Sequence, residues 1–211
     1  MFPTTTDMPW SPAPSTSKLA LQVVAKQFAG TTDETTDSKA ETAIRLMLMA
    51  DKPLSGKTLG IIGFGQSGRD IARRAHFGFG MKVVIHNRSA VAEDELDQIN
   101  ARQVEDMDHL LGQSDFVSLH CPADAENRHL IDALRLNRMK PDAHLINTAG
   151  SELVDEEALA DALWYDTIAG AGLDVLPGKT AVCDRLKECE NVTLLQAPGS
   201  PAQQSFMARC Q

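Results

Sequence analysis

Hydrophobic and polar positions change their period several times along the chain, and each change marks an element. Ser38–Ala50 has helical spacing, with Ala43, Leu46, Met47 and Ala50 on one face. Pro53 and Gly56 follow and stop that helix. From Lys57 onward, apolar runs of strand length alternate with helix-spaced segments. Thr58–Ile62, Lys82–His86, Asp115–Leu119, Ala143–Asn147, Thr167–Leu173 and Val192–Leu195 read as strands. Gln66–Ala75 and Val154–Leu163 read as helices. Upstream, Lys18–Phe28 holds a short β-prone stretch, followed by the polar run TTDETTDSK. Residues 1–17 are rich in Pro, Ser and Thr and read as a flexible arm. Repeated β-α-β units of this length predict an α/β fold with a doubly wound parallel sheet.

The first strand runs straight into Gly63-Phe64-Gly65-Gln66-Ser67-Gly68, a G-x-G-x-x-G pattern that opens the next helix. That position between strand and helix gives the pattern its chemical meaning. Gly63 permits the tight turn, Gly65 lets backbone approach a pyrophosphate, and Gly68 lets helix and strand pack closely. The amides of Gln66 and Ser67 then face phosphate, aided by the helix dipole. About 20 residues further on, NAD-binding forms place an Asp or Glu on the adenosine ribose. Here the second strand ends in His86-Asn87-Arg88-Ser89, with no acid. Asn87 does not repel a 2′-phosphate, Arg88 can pair with one and Ser89 can donate to it. The residues therefore favour NADP(H), with NAD(H) second.

Composition narrows the partners. The chain has 211 residues, 43% of them apolar, enough for one sizeable domain, or for one domain plus a fragment of another. Its 29 acidic and 20 basic side chains give a net charge of −9, which disfavours non-specific binding to nucleic acid or to anionic membranes. Cys121, Cys183, Cys189 and Cys210 show neither paired nor zinc-like spacing, so reduced thiols in a cytoplasmic protein are expected. No apolar run reaches membrane-spanning length, and the N-terminus lacks the basic start and apolar stretch of a signal peptide.

Several segments, in order, resemble the NAD-binding domain of D-isomer-specific 2-hydroxyacid dehydrogenases, in particular the glyoxylate/hydroxypyruvate reductase-like members. They are GKTLGIIGFGQSGRDIARRAHFGFGMKVVIHNRS at 56–89, SDFVSLHCPADAENRHLID at 114–132, MKPDAHLINTAGSELVDEEALADAL at 139–163 and IAGAGLDV at 168–175. The resemblance implies that Cys121 and Pro122 lie beside the cofactor on the loop after the fourth strand. It implies that Thr148 and Ala149 line the nicotinamide riboside and that Asp174 holds the carboxamide. It also divides the chain into the arm 1–17, a substrate-domain remnant with a linking helix at 18–55, the Rossmann dinucleotide-binding domain at 56–198 and a truncated segment at 199–211.

The chain departs from the family where the reaction is carried out. The family uses an Arg in an N-T-A-R-G motif to grip the substrate carboxylate, and this chain reads Asn147-Thr148-Ala149-Gly150-Ser151. The family's Glu belongs in the loop after G-L-D-V, where Lys179 stands, and its His belongs where Ala197 stands. A positioned acid–base group is worth typically 10²–10⁴-fold in rate. These replacements predict a cofactor-binding protein impaired as a dehydrogenase. The alternative is an active NADPH-dependent reductase of a small 2-oxo acid such as glyoxylate or hydroxypyruvate, its missing groups supplied by other side chains or another subunit. His120, at the end of the fourth strand, is the nearest replacement acid but reads as structural. Family members also carry a longer substrate-binding part, and the chain between Met49 and Gly56 lacks the arm that supports dimerisation, so a homodimer stays open as an assembly.

Overall fold

Leu59–Ile62 and Phe116–Leu119 carry buried side chains on both faces, and only a sheet covered on both sides can bury such runs. The computed structural model describes residues 39–50, 52–175 and 182–196, all within the compact unit Thr36–Gln211. The arm 1–17, the stretch Lys18–Phe28, Lys179, Ala197, Cys210 and the segment 199–211 lie outside the described residues.

Among the described residues, seven strands form one all-parallel sheet: β1 (Thr58–Ile62), β2 (Lys82–His86), β3 (Ala101–Gln103), β4 (Phe116–Leu119), β5 (His144–Asn147), β6 (Gly170–Val175) and β7 (Val192–Gln196). Their order is β3-β2-β1-β4-β5-β6-β7, so the chain grows outward from β1 in one direction, then returns and grows in the other. Between β1 and β4 the order reverses, and the connections leave the two strand ends on opposite faces. That opens a crevice at their carboxyl ends, the usual ligand position in such sheets.

The helices are α1 (Lys39–Leu48), α2 (Gln66–Arg73), α3 (Glu93–Gln98), α4 (Met107–Gln113), α5 (Ala133–Leu136), α6 (Glu156–Trp164) and α7 (Asp184–Glu188). Residues alternating along the strands feed two cores. One joins Leu59, Ile61, Val83 and Ile85 to Ala43, Leu46 and Met47 of α1 and to Ile71 and Ala72 of α2. The other joins Ile62, Val84, Val117 and Leu145 to Leu110 and Leu111 of α4 and to Leu159 and Leu163 of α6. The helix that the sequence sets before the Rossmann domain thus shares a core with β1 and α2. Its apolar face, Ala43-Leu46-Met47, is the one the spacing predicts.

The predicted strands are all present, shifted by a few residues at their ends. The predicted helix Gln66–Ala75 is α-helical only to Arg73, then widens into one π turn, Arg74–Gly78. Sequence patterning misses β3 and the helices α3, α4, α5 and α7: EDELDQ buries no residue, Ala101–Gln103 has no buried position, and α4, α5 and α7 run only seven, four and five residues, too short to show a helical period. Asp115, just before β4, accepts from the Thr58 amide (2.8 Å) and from Lys140 Nζ (3.2 Å). Burial pushes its pKa up, but the Thr58 amide and the charges of Lys140 and Lys52 outweigh that and hold it below the ordinary value. The anchor fixes β1 beside β4, and so fixes the floor of the crevice.

Candidate functional site

The glycine turn joins β1 to α2 at the mouth of the crevice. Gly63 has φ +92°, and a Cβ there would stand 2.6 Å from the Cys121 amide. Only glycine tolerates both that backbone and that contact. A Cβ on Gly68 would collide with the Gly63 carbonyl oxygen, whereas one on Gly65 would meet nothing within 4 Å. The space over Gly65 is open, and no side chain caps the N-terminus of α2. An uncapped helix start behind a bare backbone turn suits a phosphate group.

This turn forms one wall of a cavity of about 520 Å³. Ile62, Gly63, Phe64, Gly65, Gln66 and Ser67 line it from β1 and α2, and His86, Asn87 and Arg88 from the end of β2. His120, Cys121, Pro122, Asn127 and Leu130 follow β4, with Met107, Ala149 and Lys39 completing the lining. Of the residues the sequence singles out, the cavity gathers Gly63, Gly65, Gln66, Ser67, Asn87, Arg88, Cys121, Pro122 and Ala149. Gly68, Ser89, Thr148 and Asp174 do not border it. The Thr148 hydroxyl is buried without a hydrogen-bond partner.

Asn87 does more than leave room for a phosphate. Its Oδ1 accepts from the Phe64 amide (3.1 Å) and its Nδ2 donates to the Ser89 carbonyl (3.0 Å). The end of β2 thereby holds the glycine turn. Gln103 supports it from β3, donating to the Asn87 and Ser89 carbonyls at 3.1 and 2.9 Å. Arg88 pairs with Glu126 at 2.9 Å, with side chains 70% and 78% exposed. Such a pair contributes little stability, about 0–1 kcal/mol.

His120 lies between two hydroxyls: Ser67 Oγ at 2.8 Å from Nδ1 and Ser118 Oγ at 2.9 Å from Nε2. Burial, aided by the charge of Lys39, pulls its pKa down to about 4, so the ring is neutral at pH 7. Burial likewise raises the Cys121 thiol, helped by the Asp124 carboxylate and opposed by its own amide and Arg88. Cys121, Cys183 and Cys189 are free thiols.

At the end of β5, Asn147 Oδ1 accepts from the amides of Ala149 (3.1 Å) and Gly150 (3.3 Å), and its Nδ2 donates to the Gly150 carbonyl (2.8 Å). This side chain ties the loop to the end of β5. A Cβ at Gly150 would stand 2.6 Å from Ala123 Cβ and 3.2 Å from Glu152 Oε2. Lys39 Nζ, at the start of α1, donates to the Ala149 carbonyl at 3.4 Å. Sequence reasoning missed Lys39, which lies 110 residues from Ala149 and carries no motif. Among the described residues, no cluster of His, Cys, Asp and Glu is arranged to hold a metal, and no helix is long and apolar enough to cross a membrane.

A parallel sheet with a bare glycine turn at its switch point defines a dinucleotide-binding domain of the doubly wound class. Residues 20–196 match the family model for the D-isomer specific 2-hydroxyacid dehydrogenase, NAD binding domain, and the chain belongs to that family. It is 43% identical over 162 residues to a glyoxylate reductase of Thermococcus litoralis, covering 77% of this chain and 48% of the relative. It is also 43% identical over 157 residues to glyoxylate/hydroxypyruvate reductase B of Pectobacterium carotovorum, covering 73% and 48%. The crystal structure of a glyoxylate reductase from Paecilomyes thermophila superposes with a TM-score of 0.70 at 33% identity, covering 82% of this chain and 59% of that one. A D-lactate dehydrogenase with NAD+ from Lactobacillus jensenii gives a TM-score of 0.66 at 25% identity, covering 82% and 63%. The chain spans about half the length of the curated relatives it matches.

Proposed function

We propose that the chain binds a nicotinamide dinucleotide, NADP(H) in preference to NAD(H), and transfers hydride to a 2-oxo acid poorly or not at all. The open space over Gly65 behind an uncapped helix start carries the binding half of this reading. Gln66 and Ser67 would face the pyrophosphate, and Asn87, Arg88 and Ser89 the adenosine ribose. Cys121, Pro122, Thr148, Ala149 and Asp174 would serve the nicotinamide end. Exchanging Glu126 for a 2′-phosphate costs Arg88 little, because the pair it leaves is exposed.

The place of the family's arginine supports the impairment. At Gly150 the first atom of any side chain runs into Ala123, and a carboxylate of Glu152 stands beside it. A substrate carboxylate finds no two-point clamp there, and Lys179 and Ala197 replace the other two expected groups. The bound dinucleotide would supply the hydride, but the described residues place no poised proton donor beside it. His120 is neutral and already shared by two serines. The reading extends to a soluble, cytoplasmic protein whose partners are the cofactor and a small 2-oxo acid, with no nucleic acid or membrane.

Calorimetric titration with NADPH and NADH tests the binding half. Tighter NADPH binding is expected, inverted by the pair Asn87→Asp and Arg88→Ala; equal affinities in the unmodified chain would sink the preference. Negligible NADPH oxidation with glyoxylate or hydroxypyruvate is expected in the same preparation. Robust turnover that disappears on changing His120 would restore the enzyme reading and make His120 the acid.

A further inference from the structure

The cofactor cavity carries an unusual balance for so acidic a chain. Among the described residues that line it there is no Asp or Glu, while two cationic side chains, Lys39 and Arg88, do line it. The whole chain has a net charge of −9. Arg88 follows β2, whereas Lys39 reaches the Ala149 carbonyl just past the end of β5. The order β2-β1-β4-β5 sets three strand spacings between those two ends, roughly 14 Å. One cation therefore serves the adenosine end of the crevice, and the second stands at the other end, where no phosphate of the dinucleotide is expected.

We propose that Lys39 seats the carboxylate of a small 2-oxo acid at the Ala149 edge of the crevice, in place of the arginine the family sets at position 150. The inference rests on the cofactor reading above and names what the protein would hold beside the dinucleotide. Three observations carry it together. Ala123 and Glu152 close and acidify the start of the arginine's path at Gly150. Lys39 enters the same cavity from another element, with an exposed side chain whose Nζ lies 3.4 Å from the Ala149 carbonyl. Its charge reaches the imidazole of His120 across the crevice, which remains neutral and so does not compete for the anion.

A lysine differs from an arginine in what it gives a carboxylate. The ammonium is a compact point charge on a flexible stem, whereas a guanidinium grips two oxygens in one plane. Lys39 thus attracts a carboxylate without fixing the angle of the neighbouring carbonyl. Such a site holds a 2-oxo acid next to the nicotinamide without aligning it for hydride transfer. Retention of the acid and loss of turnover are then two results of one substitution in geometry.

The test uses the full chain and oxamate, a carboxylate joined to a carbonyl that hydride does not readily reduce. NADPH is titrated first, and oxamate is then titrated into the loaded protein. Loss of a charge-assisted hydrogen bond in Lys39→Met should weaken oxamate by about ten- to a hundredfold, and NADPH far less. Lys39→Arg should retain most oxamate affinity, and NADPH binding reports that each variant is folded. If NADPH binds but oxamate does not, or if Lys39→Met binds oxamate as the unmodified chain does, the inference is overturned alone. A tenfold loss of NADPH affinity in Lys39→Met would also overturn it, by assigning the ammonium to a cofactor phosphate. No NADPH binding by the unmodified chain would bring down the cofactor reading beneath it.

Discussion

Ser67, His120 and Ser118 form a hydrogen-bonded chain from the glycine turn to strand β4. A neutral imidazole offers one donor and one acceptor, so it satisfies both hydroxyls with one serine donating and the other accepting. Protonation turns both ring nitrogens into donors and places a charge where burial and Lys39 oppose it. The native value of about 4 lies below the ordinary 6.5. Between those values the unfolded chain therefore binds more protons than the folded one. Stability from this group is fully present above pH 6.5 and falls as pH drops towards 4. Its size is on the order of 2 kcal/mol, less than the full shift implies because the ring borders the cavity. Urea midpoints measured at pH 7 and pH 4.5 should converge markedly in His120→Gln relative to the unmodified chain. Equal acid sensitivity in both would remove His120 from the account. The sequence marks His120 as a strand-end histidine, the nearest replacement acid but one that reads as structural. Ser118, two residues back on the same strand, shares its face, but Ser67, 53 residues away, reaches the ring only once β1 and β4 pair.

The turn Gly63–Gly68 shows how three glycines in one motif do different work. Gly65→Val adds atoms only to open space, so nucleotide binding should be lost while the melting temperature stays within a few degrees. Gly68→Ala instead drives a methyl into the Gly63 carbonyl. Overpacking of that kind costs about 1–3 kcal/mol, visible as a lower melting temperature with or without ligand. Normal NADPH binding by Gly65→Val would move the phosphate site away from this turn. The motif and its flanking strand and helix were legible because a strand period, three glycines and a helix period follow one another without a gap. The strands β1, β2, β4 and β5 are legible for a similar reason, since their buried residues make continuous apolar runs, while β7 is only half-buried and legible from the apolar run Val192–Leu195 alone. By contrast α3 and β3 take their place from the sheet edge they occupy rather than from any apolar pattern of their own. Asn87 was read as the absence of an acid. Its bond to the Phe64 amide, 23 residues back, is a tertiary contact that no spacing rule announces.

At the scale of the molecule, the groups expected for catalysis would act as a unit, since acid, orienter and clamp lose most of their value singly. Restoring Gly150→Arg, Lys179→Glu and Ala197→His together should raise glyoxylate reduction by more than the product of the single gains. The structure adds a condition that the sequence did not show. Ala123 obstructs position 150, so adding Ala123→Gly should increase the recovered activity further. Single-turnover rates with NADPH would measure both effects, and a purely multiplicative series would contradict the unit. The same whole-chain view gives the crevice a role in assembly. It lies on the seam where β4 returns to pair with β1, with Gly63 pressed against the Cys121 backbone. The half-sheet β3-β2-β1 is complete in sequence before β4 is reached, yet it presents only one wall of the cavity. The second wall comes with β4, so the ligand meets a complete site only where that long-range pairing has closed. A dinucleotide that spans this seam bridges the two halves, and its binding energy adds to their docking by mass action. Nucleotide concentration would then govern how often the seam opens, and amide exchange along β1 and β4 would slow together as the ligand is added.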